Sequence, residues 1–158
     1  MTAHDQSVAI RRIGDDEAEL VIERRLRFFC EMRGWTIDEM PADFVEANRA
    51  FIERTHGRTF HSWVAEDDGR CVGIVSAIVS DAPPRPEELR DLDAYIINMH
   101  VDATHRSRGI GRLLVDACLA ECEAMGVRRF TLNATDDGRP LYESVGFIDE
   151  PNWLNRYA

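Results

Sequence analysis

The stretch Arg106-Ser107-Arg108-Gly109-Ile110-Gly111 decides the fold, because it joins two elements that the sequence itself predicts. Residues 94–101 before it are nearly all apolar, which is typical of a buried central strand. Residues 112–125 after it repeat apolar side chains at helical spacing. The two glycines let the backbone bend and approach a ligand closely. The sequence therefore predicts a strand, a tight turn and the start of a helix.

This turn has the properties of an anion-binding site. The first N–H groups of a helix lack partners within the helix, and together with the helix dipole they favour a phosphate. Arg106, Arg108 and Arg112 add positive charge to a chain whose formal net charge is −10. Two other phosphate motifs do not fit. No Gly-Lys-Ser/Thr follows the turn, as a P-loop would require, and Leu114 stands where a dinucleotide turn has its third glycine.

Composition limits the class of protein. The 158 residues suit one domain over 1–158, and 44% hydrophobic with 30% charged residues is typical of a globular chain. The negative net charge argues against a nucleic-acid partner and permits a cationic acceptor. Residues 1–7 are polar and no apolar run reaches membrane-spanning length. We therefore expect a cytoplasmic protein without a membrane partner.

The four cysteines predict neither a metal site nor a redox site. Cys30, Cys71, Cys118 and Cys122 form no Cys-x-x-Cys pair, and no histidine cluster stands near them. Cys118 and Cys122 share a helix face with Leu114. We therefore expect these two thiols to pack in the core.

The patterns along the chain predict the order β-α-α-β-β-β-α-β-α-β, a mixed α/β domain with helices covering a central sheet. Gly73, inside a predicted strand, indicates a bulge or a close backbone approach. Strands are predicted at 8–13, 60–66, 71–80, 94–101 and 127–133, with another beginning at Phe147 and a last edge strand at 153–157. Helices are predicted at 15–32, about 41–56, 112–125 and a short segment that carries Leu141 and Tyr142, with one helical turn at 87–91.

Two motifs together resemble the GNAT superfamily of N-acetyltransferases. The first is the Arg-x-x-Gly-x-Gly turn after its strand. The second is residues 138–147, Gly-Arg-Pro-Leu-Tyr-Glu-Ser-Val-Gly-Phe, which looks like the family's C-terminal segment, where Leu-Tyr is followed by Gly-Phe. Their order and separation also match. The resemblance implies an α/β (α+β) fold with a mixed, mostly antiparallel central sheet flanked by helices, in which two parallel strands splay apart.

The resemblance also implies a reaction, the direct transfer of an acetyl group from acetyl-CoA to a primary amine of a small molecule or amino acid, without a metal. No cysteine stands in a motif suited to an acetyl-enzyme. A main-chain N–H near Met99 or Val101 would donate to the thioester carbonyl. The main chain of Met99, His100 and Val101 would pair with the pantetheine arm. The pyrophosphate would be held by Arg106, Ser107, Arg108, Gly109, Ile110, Gly111 and Arg112.

Tyr142 is the candidate general acid. A phenol with a reference pKa of about 10 can protonate the departing thiolate or stabilise it by a hydrogen bond. The alternative is that Tyr142 only packs on the sheet. Asn133, at the end of the partner strand, either binds the pantetheine arm or caps the turn into Thr135.

The general base is less well defined by the sequence. Members of the family often carry an acidic residue where Ile97 and Asn98 stand, and neither of these can act as a base. His100 is close to this position and titrates in a useful range, so it could draw a proton through a water, although a strand histidine is often structural. Glu31 and Asp136 are further candidates, and the amine could also arrive neutral.

The acceptor side is predicted from the resemblance alone. The family shapes this pocket with its first helices and the loop after the third strand. Here these are Phe28, Phe29, Met32, Trp35 and the 83–86 loop, which suit a small hydrophobic amine or an amino acid, or else are core and surface. The alternative function is a non-catalytic acyl-CoA-binding sensor or regulatory module. A homodimer through the 153–157 edge is also predicted.

Overall fold

The structure, a computed structural model, describes residues 8–87, 89, 92–150 and 156–157. Short 3₁₀ turns lie at Ile37–Glu39 and Ala103–His105. The strands are β1 (Val8–Arg12), β2 (Phe60–Asp67), β3 (Arg70–Asp81), β4 (Leu92–Val101) and β5 (Arg129–Leu132). The helices are α1 (Ala18–Arg33), α2 (Ala42–Thr55), α3 (Ile110–Met125) and α4 (Arg139–Ser144).

The five strands form one sheet in the order β1-β2-β3-β4-β5. The first four strands pair antiparallel, whereas β4 and β5 pair parallel through the crossover helix α3. α3 packs on one face of the sheet, where Trp63 and Leu114 are fully buried. α1 and α2 cover the other face around Ile22 and Ile52. The predicted mostly antiparallel sheet flanked by helices, with one parallel pair, is confirmed.

The chain leaves α3 and α4 through a left-handed glycine, and the hydrogen bond made by the residue after each glycine changes the strand predicted there. Gly126 (φ 109°) and Gly146 (φ 97°) are left-handed, and the next N–H in each case reaches back to the last helical turn. Val127 donates to the Cys122 carbonyl at 3.0 Å, so β5 begins only at Arg129. Phe147 donates to the Tyr142 carbonyl at 3.1 Å, and residues 147–150 form no strand. The predicted strand at Phe147 is therefore wrong.

Some predictions fall wholly or partly outside the described residues. Most of the edge strand predicted at 153–157 lies there, and so does the homodimer contact predicted from that strand. Part of the helical turn predicted at 87–91 lies there as well. Cys118 and Cys122 are confirmed as core residues, since neither is exposed. Within the described ranges, no three His, Cys, Asp or Glu side chains form a group that could hold a metal ion. No helix among those residues is long and apolar enough to cross a membrane.

Gly73 marks both a bulge and a close approach, as predicted. The β2–β3 register shifts between Ala65 and Glu66, next to Gly73. A Cβ built on Gly73 would lie 3.2 Å from the His100 carbonyl oxygen and 3.1 Å from Leu114. A side chain at this position would crowd both β4 and α3, and glycine avoids this crowding.

A second bulge interrupts β4. Asn98 and Met99 together lie opposite Val75, because the β3–β4 register shifts there. Asn98 has a φ of 61°, a left-handed conformation that asparagine adopts more readily than most residues. Its side-chain amide donates to Ser76 Oγ at 3.3 Å. One extra residue in a strand reverses the facing of all later side chains, so both Ile96 and Met99 pack on the α3 face.

Stability is expected to fall as the pH drops below the usual pKa of histidine, because His61 is buried in the neutral form. Its Nδ1 accepts a 2.6 Å hydrogen bond from Arg12, and burial, followed by the Arg12 charge, lowers the pKa of His61. Below pH about 6.5 the unfolded chain takes up a proton first, so stability is lost as pH falls toward the folded pKa.

Urea unfolding at pH 7.5 and 5.5 measures this effect. We expect wild type to lose on the order of 1 kcal/mol more than His61→Gln over this range. Equal slopes for wild type and His61→Gln would contradict the assignment.

Candidate active site

The glycine turn presents unpaired backbone donors. Ser107 (φ 61°) and Gly109 (φ 80°) are left-handed, and α3 begins immediately afterwards at Ile110. No described residue accepts a hydrogen bond from the backbone N–H groups of Ile110, Gly111 or Arg112. These three donors point out of the helix start, where its dipole is positive. The turn is thus suited to an anion, as the sequence predicts.

The arginine side chains of the turn do not converge on that point. Each contacts a carboxylate of another segment or of its own helix, so binding of a phosphate by any of these side chains would require that contact to change. The backbone donors need no such exchange. The pairs are Arg106 with Glu31, Arg108 with Asp67 at 3.4 Å, and Arg112 with Asp116 at 2.9 Å.

β4 continues beyond its partner β5 and leaves an open edge beside the turn. The parallel pairing ends at Ile96 and Leu132. On the other side His100 lies opposite Ile74. In an antiparallel ladder, residues alternately point their main-chain groups toward and away from the neighbouring strand. The main-chain groups of Met99 therefore face the open side.

The same alternation applies to Val101. The next residue, Asp102, donates its N–H to the Val72 carbonyl at 2.8 Å, so Val101 points away from β3. Its carbonyl accepts a 2.9 Å hydrogen bond from Arg106 Nε. The end of β4 thus presents main-chain groups of Met99 and Val101 on the side that β5 no longer covers.

Gly111 brings the turn, β4 and α4 together. A Cβ on this residue would lie 3.4 Å from Met99 Cε and 3.3 Å from Leu141 Cδ2. A side chain there would touch the ends of two flexible side chains on elements that carry predicted site residues. Glycine leaves this contact between the turn, β4 and α4 uncrowded.

Tyr142 lies in α4 with 9% of its surface exposed. Its ring packs edge-to-face on Phe147 at 5.9 Å. Burial raises the pKa of Tyr142 above its usual value of 10, so the phenol keeps its proton through the neutral range. Tyr142 and Asn133 line one groove of about 860 Å³ between β5 and α4. The packing and acid roles predicted for this residue are both compatible with this position.

Asn133 does not cap the turn into α4. Its amide donates to the Tyr95 hydroxyl at 2.9 Å, and the Thr135 hydroxyl instead accepts from the Gly138 N–H at 3.2 Å. The capping alternative is therefore wrong. Binding of the pantetheine arm by Asn133 stays a prediction.

His100 is buried and both of its ring nitrogens have partners. Nδ1 lies 3.1 Å from Arg24 Nη2 and Nε2 lies 2.6 Å from Glu31 Oε2. Phe28 contacts the ring edge-on at 6.0 Å. No nitrogen of the ring is left for a substrate or water, so the predicted role as a base requires one of these contacts to open.

Sequence reasoning missed the residue that organises this region. Arg24 is 2% exposed, and it also donates to Asp102 at 2.8 Å and to the Cys71 carbonyl at 3.3 Å. A signal for it exists: Arg24, Phe28 and Glu31 recur at i, i+4 and i+7, which places them on one face of α1. A charged residue on a helix face that packs inside the protein indicates that its charge has a buried partner.

A smaller pocket of about 270 Å³ opens between α1 and the end of β4. Of the residues predicted for the acceptor side, Phe28 and Met32 line it, as does Glu31. Phe29 instead packs on Phe44 in the core at 5.0 Å, and Trp35 stacks beneath Arg33.

The other predicted acceptor and base candidates lie elsewhere. Arg85 of the 83–86 loop pairs with Asp93 at 3.2 Å. Asp136 is exposed in the turn before α4 and lines neither pocket.

Comparison with solved structures supports the fold. A predicted acetyltransferase with acetyl-CoA from Clostridium acetobutylicum has a TM-score of 0.81 at 22% identity, covering 95% of this chain and 96% of that one. A GCN5-related N-acetyltransferase from Ralstonia eutropha has a TM-score of 0.74 at 28% identity, covering 95% and 98%.

Sequence relatives are also N-acetyltransferases. N-acetyltransferase family 8 member 2 of Rattus norvegicus is 29% identical over 126 residues, which are 78% of this chain and 52% of the rat protein, so the chain spans about half of that relative. Glucosamine 6-phosphate N-acetyltransferase of Trypanosoma brucei brucei is 27% identical over 138 residues, 85% of this chain and 90% of that protein. Residues 24–147 match the Acetyltransferase (GNAT) family. The chain therefore belongs to the Acetyltransferase (GNAT) family.

Proposed function

We propose that this protein is an N-acetyltransferase that moves the acetyl group of acetyl-CoA directly to a primary amine of a small molecule or amino acid. One observation carries the proposal: the unpaired N–H groups at the start of α3 adjoin the open main-chain edge of β4. Relatives named for amine acetylation, of glucosamine 6-phosphate and of a ribosomal protein's alanine, support the acceptor class.

The donor would bind along these two features. Its pyrophosphate would accept hydrogen bonds from the backbone N–H groups of Ile110, Gly111 and Arg112. Its pantetheine amides would pair with the main chain of Met99 and Val101 as an added strand. The N–H groups of the turn need no partner to be released, whereas pairing with the Val101 carbonyl would require Arg106 Nε to release it.

The acyl transfer would use main-chain polarisation and the phenol. The acceptor nitrogen attacks the thioester carbon, and the carbonyl oxygen takes negative charge, which a main-chain N–H of Met99 or Val101 stabilises. The C–S bond then breaks and the sulfur takes the Tyr142 proton. His100 would act as a base only if Arg24 or Glu31 released it.

A truncated donor tests the site without altering the protein. We expect S-acetylpantetheine, which lacks the pyrophosphate and nucleotide, to bind at least roughly 100-fold more weakly than acetyl-CoA. The expected loss corresponds to two or more charge-assisted hydrogen bonds at roughly 1.5–3 kcal/mol each. Titration calorimetry measures both dissociation constants. Equal affinity for the two donors would exclude the turn as a pyrophosphate site.

A thiol-release assay over a panel of amines tests the reaction. Release of coenzyme A that depends on an added amine is the expected result. Binding of acetyl-CoA without turnover on any amine would favour the alternative of a sensor or regulatory module. No detectable binding of acetyl-CoA would contradict both functions.

A further inference from the structure

The 270 Å³ pocket contains one negatively charged side chain, which is opposite in charge to an ammonium group. Phe28 and Met32 give it apolar walls, and Glu31 places a carboxylate beside them, next to the Arg106 guanidinium that also lines the pocket. The Glu31 side chain is 41% exposed, so a ligand can reach it. The pocket also includes the end of β4, next to the main-chain groups that would hold the thioester. An acceptor bound here would therefore lie beside the proposed reacting carbon.

Buried residues fix the orientation of this carboxylate. A guanidinium only donates hydrogen bonds, so Arg24 Nη2 donates to His100 Nδ1 at 3.1 Å. The ring proton must then be on Nε2, which donates to Glu31 Oε2 at 2.6 Å. An imidazolium would instead set its Nδ1–H against the Arg24 N–H. His100 is consequently a donor that holds Glu31 and has no lone pair for a substrate.

Glu31 still has capacity for a cation. A carboxylate offers about four lone-pair sites, of which His100 and Arg106 use two. Arg106 is itself 49% exposed, and the hydrogen bond from Arg106 holds the pKa of Glu31 below its usual value. Glu31 thus stays ionised in the neutral range.

We propose that the Glu31 carboxylate binds and orients the amino group of the acceptor, and that the acceptor is a primary amine carried on a short apolar chain or ring. His100 and Arg24 are positioning residues for Glu31. The inference rests on the proposed acetyl transfer and names its acceptor site. The apolar walls accommodate the carbon skeleton, and an acidic group beside the amine would be repelled by Glu31.

Glu31 also provides the path for protons. The bound ammonium loses one proton to water along the carboxylate, and the nitrogen lone pair forms the C–N bond with the thioester carbon. The second nitrogen proton leaves by the same route. The C–S bond breaks with its electron pair on sulfur, which takes the Tyr142 proton, and the phenolate regains one from water. The net products are the acetamide, free coenzyme A and one proton.

Glu31→Gln tests the proposal, with Glu23→Gln as a matched control on the exposed side of the same helix. With 2-phenylethylamine and hexylamine as acceptors, we expect Glu31→Gln to raise the amine KM by roughly 10–100-fold, as for the loss of one charge-assisted hydrogen bond. The Kd for acetyl-CoA should change less than about 2-fold in both variants. Glu23→Gln should keep the wild-type amine KM.

Two further readouts separate binding from a general loss of structure. Raising NaCl should increase the amine KM of wild type and leave that of Glu31→Gln nearly constant, because only the ion pair is screened. His100→Gln should raise the amine KM less than Glu31→Gln and should retain the salt dependence, because Glu31 keeps its charge.

The outcomes are distinct for the two proposals. An active wild type whose amine KM is unchanged by Glu31→Gln would overturn the role of Glu31 and leave the acetyl transfer standing. A preference for amino acids over the two apolar amines would overturn the acceptor class. A wild type that neither binds acetyl-CoA nor acetylates any amine would contradict the proposed function itself.

Discussion

Replacing Tyr142 by phenylalanine is expected to lower kcat by roughly 10²–10⁴-fold, the range typical of a lost general acid. The ring would keep its packing on Phe147, so the fold and the Kd for acetyl-CoA should be retained. Tyr95→Phe is the matched control, because Tyr95 lines the same groove and its hydroxyl contacts only Asn133 among the described side chains. The thiol-release rate at saturating amine measures both variants.

The dependence on the leaving group distinguishes an acid from a packing residue. A donor with a more acidic thiol needs less protonation as it leaves, so the defect of Tyr142→Phe should shrink with such a thioester. In wild type, the raised pKa of Tyr142 should place any loss of activity caused by its ionisation above pH 10. A full wild-type kcat for Tyr142→Phe would assign the residue to packing alone.

Of the variants proposed, one that removes a single partner of the buried Arg24–Asp102 pair is expected to lower the free energy of unfolding the most. The two side chains are 2% and 12% exposed and lie 2.8 Å apart. Asp102→Ala would leave the Arg24 charge buried without its carboxylate, which costs about 3–5 kcal/mol. Urea unfolding monitored by circular dichroism measures this loss.

The double variant Arg24→Met, Asp102→Leu shows whether the loss of stability comes from the unpaired charge. A buried ion pair replaced by apolar residues of similar volume is often nearly neutral, so the double variant should be more stable than Asp102→Ala. Its amine KM should nevertheless rise, because His100 and hence Glu31 would lose their support. A double variant less stable than the single one would contradict this account of the pair.

Most of the elements and the glycine turn at the start of α3 could be predicted because their signals are local. Apolar spacing predicted α1, α2 and α3, and the glycines predicted where α3 begins and ends. The strand predicted at Phe147 failed for a local reason as well: the left-handed Gly146 turns the Phe147 N–H back to the Tyr142 carbonyl. An apolar pair after a glycine fits both the start of a strand and the turn that closes a helix, so the sequence could not decide between these two structures.

The partners of the charged residues could not be predicted in this way. Arg106 and Arg112 stand beside the turn in sequence, yet their guanidinium groups contact Glu31 and Asp116. Long cationic side chains reach whichever carboxylate the fold brings near, and the chain has 29 acidic residues. Proximity to a motif in sequence therefore did not determine what these side chains bind.

By itself, the sequence determined the order of the elements from β1 to α4, the glycine turn at a helix start and the Leu-Tyr segment that carries Tyr142. These depend on backbone preferences and apolar periodicity over a few residues. Only the tertiary structure decided the bulge at Asn98, the open edge of β4 and the tautomer of His100. Each depends on atoms from distant segments, since His100 contacts Arg24 and Glu31 across 76 and 69 positions of chain. Contacts at such separations are fixed by packing, which no local pattern specifies.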